Sequence, residues 1–149
     1  MHGYELKSDR DTLKRLPEQI IAYTAVFDLV TLVVGERHLL HAIEVIPDWW
    51  GIRIARMRYD SILFRDLRLP TANPSPDPMS VVMLLWREEA LGLLTQIKKT
   101  RIPCSKPRAW IYAELVANAS SGYLRDAVRR SLKKRVDWRS DGTRLSCGD

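Results

Sequence analysis

Within its first 34 residues the sequence switches hydrophobic period twice, and that switch restricts the fold more than any other feature. In Gly3-Tyr4-Glu5-Leu6-Lys7, Tyr4 and Leu6 alternate with Glu5 and Lys7, the period of two expected of a β-strand. From Leu13 to Phe27 the apolar residues Leu13, Leu16, Ile20, Tyr23 and Phe27 recur at helical spacing, which predicts a helix. The polar run Ser8 to Thr12 is suited to cap it, and Pro17 either opens the helix in its first turn or kinks it. Leu29-Val30-Thr31-Leu32-Val33-Val34 then reads as a buried strand ended by Gly35. Strand, helix, strand is a crossover unit, so the two strands are expected to be parallel and adjacent with a right-handed connection.

Alternation puts Glu5 and Lys7 on one strand face, about 7 Å apart at their roots. A carboxylate there can hold a hard divalent cation. An ammonium can orient an attacking water or steady the charge that grows on a phosphate. The same tripeptide also suits an ordinary surface ion pair, worth about 0–1 kcal/mol. Gln19 and Tyr23, four residues apart, share a face of the following helix.

The string from Gly3 to His38, with Glu5-Leu6-Lys7-Ser8-Asp9, Asp11-Thr12-Leu13, Arg15-Leu16-Pro17, Gln19, Tyr23 and Val26-Phe27-Asp28, resembles the second half of the catalytic core of the PD-(D/E)XK nuclease superfamily. More narrowly it resembles a bacterial branch with the pattern ExKSDxDTLxRLPxQ. Ile46-Pro47-Asp48-Trp49-Trp50-Gly51 fits that branch too, and the likeness extends more loosely to Ser105-Lys106-Pro107-Arg108. The resemblance implies that Glu5 is a metal-binding acid for Mg2+ or Mn2+, that Lys7 is the active-site lysine, and that Gln19 and Tyr23 face the site. It implies an α/β protein (α+β by count), a partial restriction-endonuclease-like mixed sheet with flanking helices. In the superfamily the first metal-binding Asp lies on the strand before Glu-x-Lys, whereas this sequence starts at the Glu-x-Lys strand. Two expectations follow. Either the edge at residues 3–7 is covered by a second copy or by a partner supplying the absent strands and Asp, or the natural start lies upstream of Met1.

Further along, residues 36–45 read as a short helix with Leu39, Leu40, Ile43 and Val45 toward the sheet. One of Trp49 and Trp50 is expected under the sheet and the other partly exposed. Residues 51–57 and 62–69 alternate as an edge hairpin through Tyr59-Asp60-Ser61. Residues 70–78 hold four of the eight prolines and read as a semi-rigid linker. That divides the chain into a core at 1–69, the linker at 70–78, a basic helical region at 79–138 and a disordered tail at 139–149. The helical region is expected to comprise a helix from Met79 to about Lys98, a second after Pro103 with Ser105 as cap, and a third from about Ser121 to Arg135.

Charge separates the halves. Residues 1–70 contain 10 basic and 10 acidic residues; residues 71–149 contain 14 and 8, which accounts for the whole net charge of +6. Arg125, Arg129 and Lys133 form a stripe at four-residue spacing. With Arg10 and Lys14 they are the candidates for contact with nucleic acid, DNA first, through its phosphate backbone. The same stripe also fits a solvated face or a protein-docking module. Cys104 and Cys147 have no metal spacing and are expected as free thiols. His2, His38 and His41 form no ligand motif. No stretch approaches the roughly 20 apolar residues of a membrane span, and the start is no signal peptide, which predicts a cytoplasmic protein. The expected function is metal-dependent phosphodiester hydrolysis once the missing strands and Asp are supplied. The alternative is a catalytically inactive nucleic-acid- or protein-binding relative acting as a dimer or in a complex. The resemblance also points to phage or mobile-element biology.

Overall fold

The computed structural model describes residues 1–135 and divides into two compact units, Met1–Val81 and the part from Val82 onward. The expected tail at 139–149, with Cys147, lies outside the described residues.

The first unit is built on a four-stranded mixed sheet in the order β1-β2-β3-β4. Strand β1 (His2–Lys7) is followed by helix α1 (Leu16–Val26) and strand β2 (Leu29–Val34). A single 3-10 turn at Glu36–His38 leads into α2 (Leu39–Val45), and the hairpin β3 (Gly51–Arg58) and β4 (Ser61–Arg68) completes the unit. β1 pairs parallel with β2, β2 parallel with β3, and β3 antiparallel with β4. Expectation and structure agree here: an α/β mixed sheet begins with the Glu-x-Lys strand, and β1 is an edge strand.

Helices α1 and α2 pack on one face of the sheet. Leu16, Val30, Leu32, Val34, Ala42, Ile46, Trp50 and Ile52 form a single buried cluster there. Two crossovers running in the same direction with the same hand must put both helices on the same side. Pro17 lies in the first turn of α1 and opens it rather than kinking it. The stretch before it does not cap the helix. The Asp11 carboxylate instead accepts from the Ser8 N–H at 2.7 Å and from its hydroxyl at 2.8 Å, a local turn that competes with capping.

Three sequence expectations are corrected in this unit. In α2, Leu40, Ile43 and Val45 point outward; Ala42 is fully buried, followed by Ile46, with Leu39 packed against the cluster. The 3-10 turn at Glu36–His38 rotates the helix away from the phase its leucines suggested. The segment 70–78 is not a free linker. Asn73 is buried, and its amide nitrogen donates to the carbonyls of Thr24 (2.6 Å) and Phe27 (2.8 Å) at the end of α1. The Asn73 and Asp77 N–H groups bond the carbonyls of Asp28 and Ala25. These bonds satisfy carbonyls that a helix end leaves orphaned, so the proline-rich strap belongs to the first unit. The boundary then falls at Val81–Val82.

The second unit is helical, and the long helix expected over 79–98 is broken. A short α3 (Pro78–Val82) ends at the boundary, and α4 runs Arg87–Lys98. Trp86 between them is extended (φ −66°, ψ 158°), and its N–H donates to the Glu89 carboxylate at 2.7 Å. That N-terminal cap starts a new helix. Helix α5 (Arg108–Asn118) begins after Pro107, not at Ser105, because Pro107 occupies the cap position in an extended conformation. Helix α6 (Ser121–Lys134) is capped by the Ser120 hydroxyl and buries Leu124, Ala127 and Val128. Arg135 closes the unit by pairing with Glu89 while lying over the Trp86 ring, 4.3 Å from its centroid. Among the described residues no helix is long and apolar enough to cross a membrane.

The strap yields the first test. Asn73→Ala leaves the Thr24 and Phe27 carbonyls short of a donor, and unsatisfied buried groups cost about 1–3 kcal/mol. Urea denaturation should show a loss of that size. A change below about 0.5 kcal/mol, the scatter of neutral surface substitutions, would mean that the strap is not part of the folded unit.

Candidate functional site

The site begins with an inversion in β1. The inward side chains are Glu5 and Lys7, beside Gly3, and the outward ones are Tyr4 and Leu6. Register forces this choice. Gly3, Glu5 and Lys7 lie beside Val30, Leu32 and Val34 of β2, all fully buried. Residues side by side in a sheet share a face, so burying the apolar face of β2 carries the polar face of β1 inside. Gly3 makes room for α1: a Cβ there would stand 2.7 Å from the Phe27 ring.

Burying two charges is costly unless each finds a partner. Lys7 Nζ lies 3.0 Å from Glu5 Oε1, and both residues are more than nine-tenths buried. The Tyr23 phenol, from α1, interacts with the Glu5 carboxylate. Burial first, and then the Glu5 carboxylate, push the phenol from the usual 10 up to about 12, so Tyr23 stays protonated. Trp50 backs the phenol, its ring stacked on that of Tyr23 at 5.9 Å and 24°. Gln19, one turn earlier on α1, holds its side-chain oxygen buried without a hydrogen-bond partner, and the indole N–H of the fully buried Trp50 is likewise unpartnered. Buried groups of this kind are uncommon and call for an explanation.

Sequence reasoning anticipated Glu5, Lys7 and Tyr23 as a contiguous group, with Gln19 on the same helix. It missed Trp50, which reads as a core residue, and the clamp at the end of β1. There the Lys7 carbonyl accepts from the Gly35 N–H at 2.9 Å and the Asp9 carboxylate from the Arg37 N–H at 3.1 Å. A Cβ on Gly35 would collide with that carboxylate at 2.1 Å, so the glycine that ends β2 is the signal that marks the clamp. Arg10 and Lys14 stand exposed in the connection from β1 to α1, at the carboxyl end of the parallel strands where open α/β sheets bind ligands. Arg125, Arg129 and Lys133 belong to α6 in the other unit. Arg129 and Lys133 are exposed, and Arg125 is half-buried.

A divalent cation does not fit this set alone. Glu5 is the one carboxylate of the pair, and Lys7 already engages it. The described residues contain no group of three His, Cys, Asp or Glu able to hold a metal. Mg2+ requires near-octahedral oxygen coordination, so a metal centre here would need ligands beyond those described.

A family model for bacteriophage P4 protein cII matches residues 1–143. The chain belongs to that family. The match spans residues of both units. No curated protein and no solved structure matches the chain.

The pair predicts an asymmetry in stability. Lys7→Met strands a buried carboxylate and should cost about 3–5 kcal/mol, whereas the double variant Glu5→Leu/Lys7→Met should return to within about 1 kcal/mol of wild type. Denaturant unfolding checks both. A double variant as unstable as Lys7→Met would make the pair a structural element.

Proposed function

We propose that this P4 cII family chain is a PD-(D/E)XK-like nuclease-fold protein acting on the phosphodiester backbone of nucleic acid, DNA first, in the cytoplasm. The carrying observation is the buried Glu5–Lys7 pair at the end of a parallel strand, with Tyr23 beside Glu5. Such a pair is a poor source of stability, because desolvation offsets the attraction. Its burial therefore speaks for chemistry. In this reading Lys7 supplies a cation in a water-poor site, where it acts on a phosphate far more strongly than in solvent. Tyr23 and Gln19 orient the groups around it. Hydrolysis with Mg2+ or Mn2+ needs acids that the described residues do not offer, so cleavage depends on carboxylates supplied by a further segment or chain.

A second reading, binding without cleavage, is favoured by that same shortage of acids and by the exposed Arg129 and Lys133 on α6. Backbone contact of this kind is sensitive to salt and indifferent to sequence.

One experiment separates the readings. Duplex and single-stranded DNA are incubated with Mg2+ or Mn2+ and wild type, Lys7→Ala, or Arg129→Glu/Lys133→Glu, each checked for folding by circular dichroism. The nuclease reading expects metal-dependent cleavage that falls about 100-fold or more in Lys7→Ala, the scale of losing one electrostatic donor. Equal cleavage by both removes Lys7 from the chemistry. Absence of cleavage, with salt-dependent binding that the α6 reversal abolishes, selects the second reading.

A further inference from the structure

One face of the sheet is left bare within the first unit. Both crossover helices pack on the opposite face, so the reverse of the parallel strands β1 to β3 carries no helix of this unit. The bare face is apolar over its carboxyl half. Leu6, Met57, Ile62 and Phe64 are between 53% and 70% exposed, and with Val33 and Ala55 they line a groove of about 330 Å³.

We propose that this face is the contact surface for a second copy of the chain, packed sheet on sheet across a two-fold axis. Area supports that occupant. At roughly 200 Å² for a fully exposed large side chain, these four and the half-exposed Tyr4 present about 600 Å². That is at or above the largest apolar patch of a typical monomer. With its polar surroundings it approaches the roughly 800 Å² per partner of a standard interface.

Charge selects between occupants. Arg53 and Asp66, the charged pair of this face, hold each other through two hydrogen bonds of 2.6 and 3.0 Å. His2 bonds the Thr31 hydroxyl at 2.9 Å and stacks on Tyr4 at 4.3 Å. The face therefore offers no spare cation for a phosphate backbone. The groove's acidic rim, Asp9 and Asp11, is engaged by the Arg37 and Ser8 N–H groups, so the apolar residues carry the contact. A two-fold contact requires only that the same patch complement itself, and an apolar half beside an internally satisfied polar half meets that requirement. The inference does not depend on the chemistry of Lys7.

The full 149-residue chain tests it by sedimentation velocity and light scattering across a roughly hundredfold concentration range, with Tm measured alongside. Wild type should be a dimer whose Tm rises with concentration. Phe64→Glu and Met57→Glu, at exposed positions, should be monomers with unchanged circular dichroism and a concentration-independent Tm. If both variants unfold, hydrogen exchange on wild type decides, with β4 amides expected to gain protection as concentration rises. A wild type monomeric throughout overturns the proposal, as does dimerisation unaffected by either substitution. Dissociation of the wild-type dimer by duplex DNA that protects β4 would identify nucleic acid as the occupant and overturn it as well.

Discussion

The inward turn of Glu5 and Lys7 is the constraint on which the first unit depends. It is a consequence of pairing. β2 has one strongly apolar face, and the parallel register of β1 against it leaves the inward positions of β1 to Gly3, Glu5 and Lys7. A one-residue slip would bury Tyr4 and Leu6 instead, since register shifts exchange every side chain between faces. The chain keeps the costlier arrangement. Gly3 admits Phe27, Tyr23 reaches Glu5, and Trp50 fills the space behind the phenol. Tyr23 is explained by the pair, whereas Gly3 serves the packing of Phe27 and Trp50 belongs to the apolar cluster.

The same pairing pattern explains what the unit leaves uncovered. Two crossovers of one hand stack α1 and α2 over one face of the sheet and leave its reverse without a helix. The strap at 70–78 bonds the end of α1, Asp28 and the Trp49 carbonyl and leaves Leu6, Met57, Ile62 and Phe64 exposed. The second unit is organised differently. Its polar contacts close helix ends: Glu89 on Trp86, Arg135 on Glu89, and the buried Tyr112 hydroxyl on the Leu85 carbonyl at 2.7 Å. Those contacts occupy Arg135 with Glu89, while Arg129 and Lys133 remain exposed on α6.

Much of this architecture is legible in the order of residues. The switch of period from two to helical spacing fixes strand, helix and strand over residues 2–34, and the hairpin at 51–68 follows from its alternation. Less legible is which side of an alternating strand turns inward. Tyr4 and Leu6 look like the buried face until the partner strand is known. Proline density at 70–78 reads as a linker because nothing in composition reveals that Asn73 will bond two distant carbonyls. The helical period runs unbroken across residues 83–86, where no glycine or proline interrupts it, and the break is held by the Glu89 carboxylate on the Trp86 N–H and by donors from Arg135 and Tyr112 to the Leu84 and Leu85 carbonyls. Among the site residues, Glu5, Lys7, Gln19 and Tyr23 are visible through spacing and resemblance. Trp50 is not, because a buried indole behind a phenol looks the same as any other core aromatic.

In the proposed function the Lys7 ammonium is held for a phosphate and not for the fold. Side-chain NMR of the labelled chain, following the Lys7 Nζ and the Tyr23 ring during titration with a short DNA duplex, tests this most directly. The account predicts that both signals shift together and saturate with the DNA. Shifts confined to the α6 lysines and arginines, with Lys7 and Tyr23 unmoved at saturation, would contradict it.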